Sequence, residues 1–166
     1  MRTLLLFPLA LLLASCGLQP MYAGGANGVV ASGLSDVDVP AIPGRAGWLV
    51  RNALVDRLGA GGEGTGRFRL DVRLDDSLEG LGLIGDDLIG RERRTLRARY
   101  QLVDVASGEI MLDATSASDA GIDVVSSEYA TIVAEQTALE DLSRDIADRI
   151  VTRLALELRE QNTLSQ

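Results

Sequence analysis

Hydrophobic positions along this chain recur in three patterns. Leu4 to Leu13 is a nearly unbroken apolar run behind the lone basic residue Arg2. Gly17 to Gly33 is rich in Gly and Ala and has no apolar period, the composition of a tether. Leu34, Val37, Val39 and Ile42, set around Asp36, Asp38 and Pro40, predict a short strand ending near Pro40. Pro43-Gly44 then opens a helix over 45–58. Trp48, Leu49, Ala53 and Leu54 fall at helical spacing, and Gly59 suits a C-terminal cap.

Period two takes over after the Gly-rich run 59–66. Phe68, Leu70, Val72, Leu74 and Leu78 alternate with Arg67, Arg69, Asp71, Arg73, Asp75 and Ser77. This predicts a strand over 67–78 with one buried and one open face. The apolar, Gly-rich stretch 79–90 reads as a loop, packed under the sheet edge or offered to a partner or lipid chain. A second strand spans 91–105, with Leu96, Ala98, Tyr100 and Leu102 on its buried face. Gly108 suits positive φ in the turn 104–109, and a strand over 110–117 returns with Ile110, Leu112 and Ala114 inward. Residues 118–125 connect.

Ser126 is the expected N-cap of a helix over 127–159, with Glu128 in the first turn. Its apolar face is Tyr129, Ile132, Val133, Gln136, Leu139, Leu142, Ile146, Ile150, Leu154 and Leu158. At roughly 50 Å it outreaches strands of ordinary length. The order β-α-β-β-β-α predicts an α/β (α+β) two-layer sandwich: one mostly antiparallel, open-faced sheet with two helices on one side.

Composition narrows the chemistry. The chain has 166 residues, no His, one Cys, and 16 basic against 24 acidic residues, a net charge of −8. Every basic residue is Arg. A Ser-His-Asp triad, a His-bearing metal site and an internal disulfide are excluded. The acidic balance disfavours nucleic acid as a partner. Trp48 is the one side chain large enough to anchor a core by itself. The run 59–66 lacks the Gly-Lys-Ser/Thr ending of a phosphate loop and follows a helix rather than preceding one. The paired acids Asp75-Asp76 and Asp86-Asp87 lack calcium-loop spacing and read as solvated. Catalysis and cofactors have no support.

The open sheet face carries the chemistry that needs explaining. Arg67, Arg69 and Arg73 fall on one strand and Arg91, Arg93, Arg97 and Arg99 on its antiparallel neighbour. Like charges on adjacent strands repel. Either nearby acids such as Asp71, Asp75 and Glu109 neutralise this face, or it docks an anionic ligand or partner, for which guanidinium is suited.

Leu13-Ala14-Ser15-Cys16, behind an apolar run too short to span a bilayer, resembles the lipobox of bacterial lipoproteins. Cleavage before Cys16 removes Arg2 and leaves 15 Arg against 24 acids, or −9. A diacylglycerol on the Cys16 thiol and an acyl group on the new amino terminus would give stable anchoring. Gly17, rather than Asp, after the Cys resembles outer-membrane sorting. The expected organisation is a signal peptide over 1–15, a lipidated tether over 16–33, one domain over 34–160 and a frayed tail over 161–166.

Three stretches carry a wider resemblance: Cys16-Gly17-Leu18-Gln19-Pro20-Met21-Tyr22; Arg45-Ala46-Gly47-Trp48-Leu49-Val50-Arg51-Asn52-Ala53-Leu54; and the last helix, with Tyr129, Ala130, Ala134, Leu142, Asp145-Ile146-Ala147 and Ile150. Together they resemble the LptE family of lipopolysaccharide-assembly lipoproteins, in particular its alphaproteobacterial branch. The resemblance implies a plug in the lumen of the outer-membrane barrel LptD that helps the barrel fold, binds lipopolysaccharide and assists its insertion into the outer leaflet. It implies no enzymatic turnover and no cofactor beyond the N-acyl diacylglycerol on Cys16. The Arg face would meet lipopolysaccharide anions or acidic groups of the barrel wall. Family members also use lysines there; this chain has none. The alternatives are an auxiliary lipoprotein of an ABC-type lipid transport system and a small hydrolase, the latter disfavoured by the missing His.

Overall fold

The computed structural model describes residues 29–59, 66–81, 83–84 and 88–164. The expected signal peptide and Cys16 lie outside the described residues. The elements in chain order are α1 (Val29–Ser35), β1 (Val37–Asp38), α2 (Gly44–Leu58), β2 (Phe68–Gly80), β3 (Leu83–Ile84), β4 (Leu88–Ile89), β5 (Arg91–Asp104), β6 (Ile110–Asp123) and α3 (Glu128–Leu164). Strands β1, β2, β5 and β6 form one sheet in that order, with β1 parallel to β2 and the other pairs antiparallel. The helices pack on the sheet's apolar side. This is the α+β sandwich that the two periods predict. Strands β3 and β4 form a small separate ladder inside the stretch expected as a loop.

Local chemistry sets the boundaries. Pro43, at φ −67° and ψ 151°, supplies the extended residue before α2, and Gly59, at φ 64°, ends the helix in the left-handed region. Gly108, at φ 73°, turns β5 into β6. Asp104 caps that turn, accepting from Ala106 N at 2.9 Å and Ser107 N at 3.2 Å. Helix α3 is capped by Ser127 rather than Ser126: Ser127 Oγ accepts from Ala130 N at 3.4 Å and Ser127 O from Thr131 N at 3.2 Å.

The core is the even-numbered face of β5 against α3. Leu96, Leu102 and Tyr100 are buried with Ile146, Ile150 and Leu154, and Leu54 of α2 and Leu70 of β2 close the layer. A clasp ties α3 to β6: Asp145 accepts from Ser118 Oγ and from Arg149 Nη2, while Arg149 Nη1 donates to Ala117 O at 3.0 Å. Arg57 of α2 pairs with Asp148 of α3.

Several expectations are corrected. Trp48 is not a core anchor; it is 63 % exposed, and Tyr100 fills that role at 2 %. The buried stripe of α2 is Gly47, Val50, Ala53, Leu54 and Leu58, one step round the helix from the expected one. Gly47 makes that rotation: a Cβ there would stand 2.4 Å from Ile42 O, so its missing side chain lets the helix sit on the preceding loop. Residues 29–33, expected as tether, begin α1. A Cβ on Gly33 would meet Leu158 Cδ1 at 3.2 Å, and Leu34 is buried. The Gly that reads as linker composition is thus a close-packing position.

Only Val37–Asp38 of the first expected strand pairs. Strand β6 continues to Asp123, through the region expected as a connection. A bulge between Leu102 and Val103 sets Ile110 opposite Val103 and turns it outward, to 54 % exposed. Helix α3 runs 37 residues, past Arg159 to Leu164, so most of the expected tail is helical. Its buried apolar stripe starts only near Ala138–Leu139, although Thr131, earlier in the helix, is buried against Val125 N. Tyr129, at 78 %, and Ile132 and Val133 are exposed. Strands of 13 and 14 residues span about 43–48 Å, so the helix, at about 55 Å, barely outreaches them.

Candidate functional site: the arginine face of the sheet

Odd-numbered residues of β2 and β5 point away from the helices, and this places the expected arginines on one solvent-facing surface. Arg67 lies just before β2; Arg69 and Arg73 lie on β2; Arg91, Arg93, Arg97 and Arg99 lie on β5. All seven are exposed. Arg73 sits directly opposite Arg99, and Arg97 opposite Asp75.

The acids that balance this face are mostly not those expected. Asp71 does pair with Arg69, at 3.0 Å. The others come from β6 and the turn before it. Asp113 accepts from Arg99 at 2.9 and 3.2 Å and from Gln101 at 2.8 Å. Asp119 lies 3.8 Å from Arg93, Asp123 3.3 Å from Arg91, and Asp104 3.2 Å from Arg67. Arg67 also stacks 4.8 Å from the Phe68 ring centroid. The odd-numbered parity of Asp113, Asp119 and Asp123 is legible in the sequence only once the turn at Gly108 fixes the register and β6 is carried beyond Ala117.

These contacts leave two guanidinium groups over. Among the described residues, Arg73 and Arg97 have no ion-pair partner, and Asp75 and Glu109 pair with neither. The electrostatics follow the pairing. Hydrogen bonds from Arg99, then from Gln101, hold the Asp113 carboxyl below its ordinary range, and Asp113 in turn raises Arg99. The Ser107 N–H, then Arg67 and the Ala106 N–H, depress Asp104. Solvent screens each of these exposed pairs. The face is therefore a laced surface whose unpaired guanidinium groups, among the described residues, are Arg73 and Arg97. A cleft of about 460 Å³ opens beside it, lined by Pro40, Ala41, Val72, Arg73, Arg99 and Gln101. Guanidinium groups so placed can take an anion bidentately.

Among the described residues no group of three His, Cys, Asp or Glu side chains could hold a metal ion. No described helix is long and apolar enough to cross a membrane. Cys16 lies outside the described residues.

The comparisons with known proteins agree with this architecture. A putative lipoprotein from Caulobacter crescentus superposes with a TM-score of 0.68 at 25% identity, covering 81% of this chain and 98% of that one. The rare lipoprotein B from Shewanella oneidensis gives 0.56 at 12% identity, over 78% and 97% of the two chains. A minor lipoprotein from Acinetobacter baumannii gives 0.55 at 15%, over 72% and 88%. The last two are similar in fold alone. No curated protein matches the sequence. The family model of LptE, described as lipopolysaccharide-assembly, matches residues 34–154, which is nearly the whole described domain. The chain belongs to the LptE lipopolysaccharide-assembly family.

Proposed function

We propose that this chain is an outer-membrane lipoprotein, acylated at Cys16, that seats its domain in the lumen of the barrel protein LptD. There it helps assemble the barrel and assists insertion of lipopolysaccharide into the outer leaflet. The family match across 34–154 carries the reading. The lone cysteine behind an apolar run supports the anchor, and the apolar run with Arg2 supports export. An open sheet face with two arginines that make no ion pair among the described residues supports contact with an anion, either a lipopolysaccharide phosphate or carboxylate or an acidic barrel residue. The role is one of binding and assembly, without turnover.

Affinity purification of the full chain from outer membranes, with partners identified by mass, tests this. Recovery of a large barrel protein is the expected result. Recovery of an inner-membrane permease instead would favour an auxiliary role in ABC-type lipid transport. Metabolic labelling with palmitate should mark the wild type and not Cys16→Ala. Arg97→Glu should reduce binding to purified lipopolysaccharide or to the barrel while leaving circular dichroism unchanged; unaltered binding to both would remove the Arg face from the mechanism.

A further inference from the structure

Both outer edges of the sheet expose backbone, but they are not equivalent. Phe68 N donates to Asp36 O of the β1 side at 3.1 Å, whereas Arg67 O and Leu81 N bond toward β5. Even-numbered residues of β2 therefore direct their N–H and C=O groups outward, and odd-numbered ones direct theirs to β5. Strand β1 pairs only with Phe68 and Arg69. From Val72 to Leu78 the outward groups have no backbone partner among the described residues. The β6 edge, by contrast, is met at its middle by Arg149, which caps Ala117 O.

Three further features coincide at the β2 edge. The chain leaves β1 at Val39–Pro40, and the 460 Å³ cleft between Pro40–Ile42 and Leu70–Arg73 opens at the start of the unpaired stretch. Val72 and Leu74 are only half-buried and Leu78 is exposed, because α2 ends its cover early and touches β2 only lightly. On the opposite face of the same edge stands Arg73, which has no ion-pair partner among the described residues. Natural sheets blunt such edges with charges, proline or a bulge. Residues 72–78 of β2 hold no lysine or proline and the one bulge lies on the β5–β6 side, but Asp76 is tied back to Arg94, which leaves Val72–Leu74 as the stretch of this edge with no inward charge.

We infer that the β2 edge over Val72–Leu78 is a docking site for an extended polypeptide segment. The segment adds a strand in line with β1, sets apolar side chains beside Val72 and Leu74 before the Asp76–Arg94 pair, and places a carboxylate beside Arg73. The spacing of outward N–H and C=O groups fits an extended chain, and the two faces of the edge fix which of its side chains are apolar and which is acidic. This stands independently of the lipopolysaccharide reading.

The test is single-residue amide exchange on the full chain in detergent. The probe is a capped heptapeptide alternating valine and threonine with one central glutamate; its twin carries lysine in place of glutamate. The glutamate peptide should slow exchange at Val72, Leu74, Asp76 and Leu78 by about tenfold or more. Asp71, Arg73, Asp75 and Ser77, bonded to β5, should exchange equally slowly with and without it. No slowing at the even positions, or equal slowing at even and odd ones, overturns the proposal. Val72→Pro removes an outward donor without touching the β2–β5 ladder and should abolish the protection. If that variant fails to fold, Arg73→Glu decides: it should reverse the preference from the glutamate to the lysine peptide, and an unchanged preference overturns the proposal.

Discussion

Arg94 of β5 and Asp76 of β2 form a two-point clamp on the helix side of the sheet. Arg94 Nε donates to Asp76 Oδ1 at 2.9 Å and Nη2 donates to Oδ2 at 2.6 Å, while Nη1 reaches Glu135 O of α3 at 3.0 Å. Both side chains are largely sequestered, at 16 and 27 % exposure. One guanidinium thus joins two strands and the long helix. Arg94→Ala should lower unfolding free energy by about 1–3 kcal/mol, because it strands a partly desolvated carboxylate. Arg94→Lys, which keeps the charge but loses the fork, should recover only part of that. Urea unfolding of the three proteins measures it.

Gly47 and Trp48 invert the usual weighting of small and large side chains. Gly47→Ala should destabilise by about 1–3 kcal/mol through collision with the Ile42 carbonyl. Trp48→Ala should stay within about 0.5 kcal/mol, since the indole is mostly in solvent. Thermal melts of the two variants should therefore differ in the opposite order to side-chain size.

Helix α3 divides at about Ala138. Ile146 is fully buried, and Ile146→Ala should cost about 2–5 kcal/mol. Ile132, at 42 % exposure, should cost little on the same substitution. Amide exchange should likewise be faster over the first two turns than over 139–158.

Acid should loosen the domain through a definable set of carboxylates. Asp104, Asp113 and Asp145 all have pKa values below the ordinary value: Asp104 chiefly from the Ser107 N–H, Asp113 from Arg99, and Asp145 from the Ser118 hydroxyl. Between the depressed and the ordinary values the unfolded chain binds more protons than the folded one, so stability falls as pH drops through that window. Above the ordinary carboxylate value the contribution is complete. Asp104→Asn keeps an acceptor for the turn but cannot ionise, so its urea midpoint should fall less steeply than the wild type's from about pH 4 downward.

The long strands and both major helices are legible in the sequence because burial of one face imposes period two or three-to-four spacing on residues such as Leu96-Ala98-Tyr100-Leu102 and Ile146-Ile150-Leu154. The exceptions come from close packing and register shifts that alternation does not encode. Gly33 reads as linker until Leu158 is seen against it, and Gly47 rotates α2 away from Trp48. The bulge at Val103 turns Ile110 outward, a shift by one residue that alternation alone cannot place. The Arg face was readable as a row, since Arg73 and Arg99 share one parity. Which arginines are neutralised depended on β6, whose Asp119 and Asp123 lie beyond the strand end that the pattern suggested.

The two-residue β1 has a mechanical consequence. Tension entering the domain at Val29 loads α1 and β1 in turn, and β1 is held to β2 at only Val37 and Asp38. The β2–β5–β6 meander, zipped along strands of 13 and 14 residues, bears that load only after β1 has peeled away. A pull on the N-terminal chain therefore acts as a fuse that blows early and leaves the meander standing. In a pulling experiment from Val29 this appears as a small first step, shorter than the roughly 50 Å contour of 29–43, ahead of the main rupture. A single all-at-once rupture would show that β1 shares the strength of its neighbours.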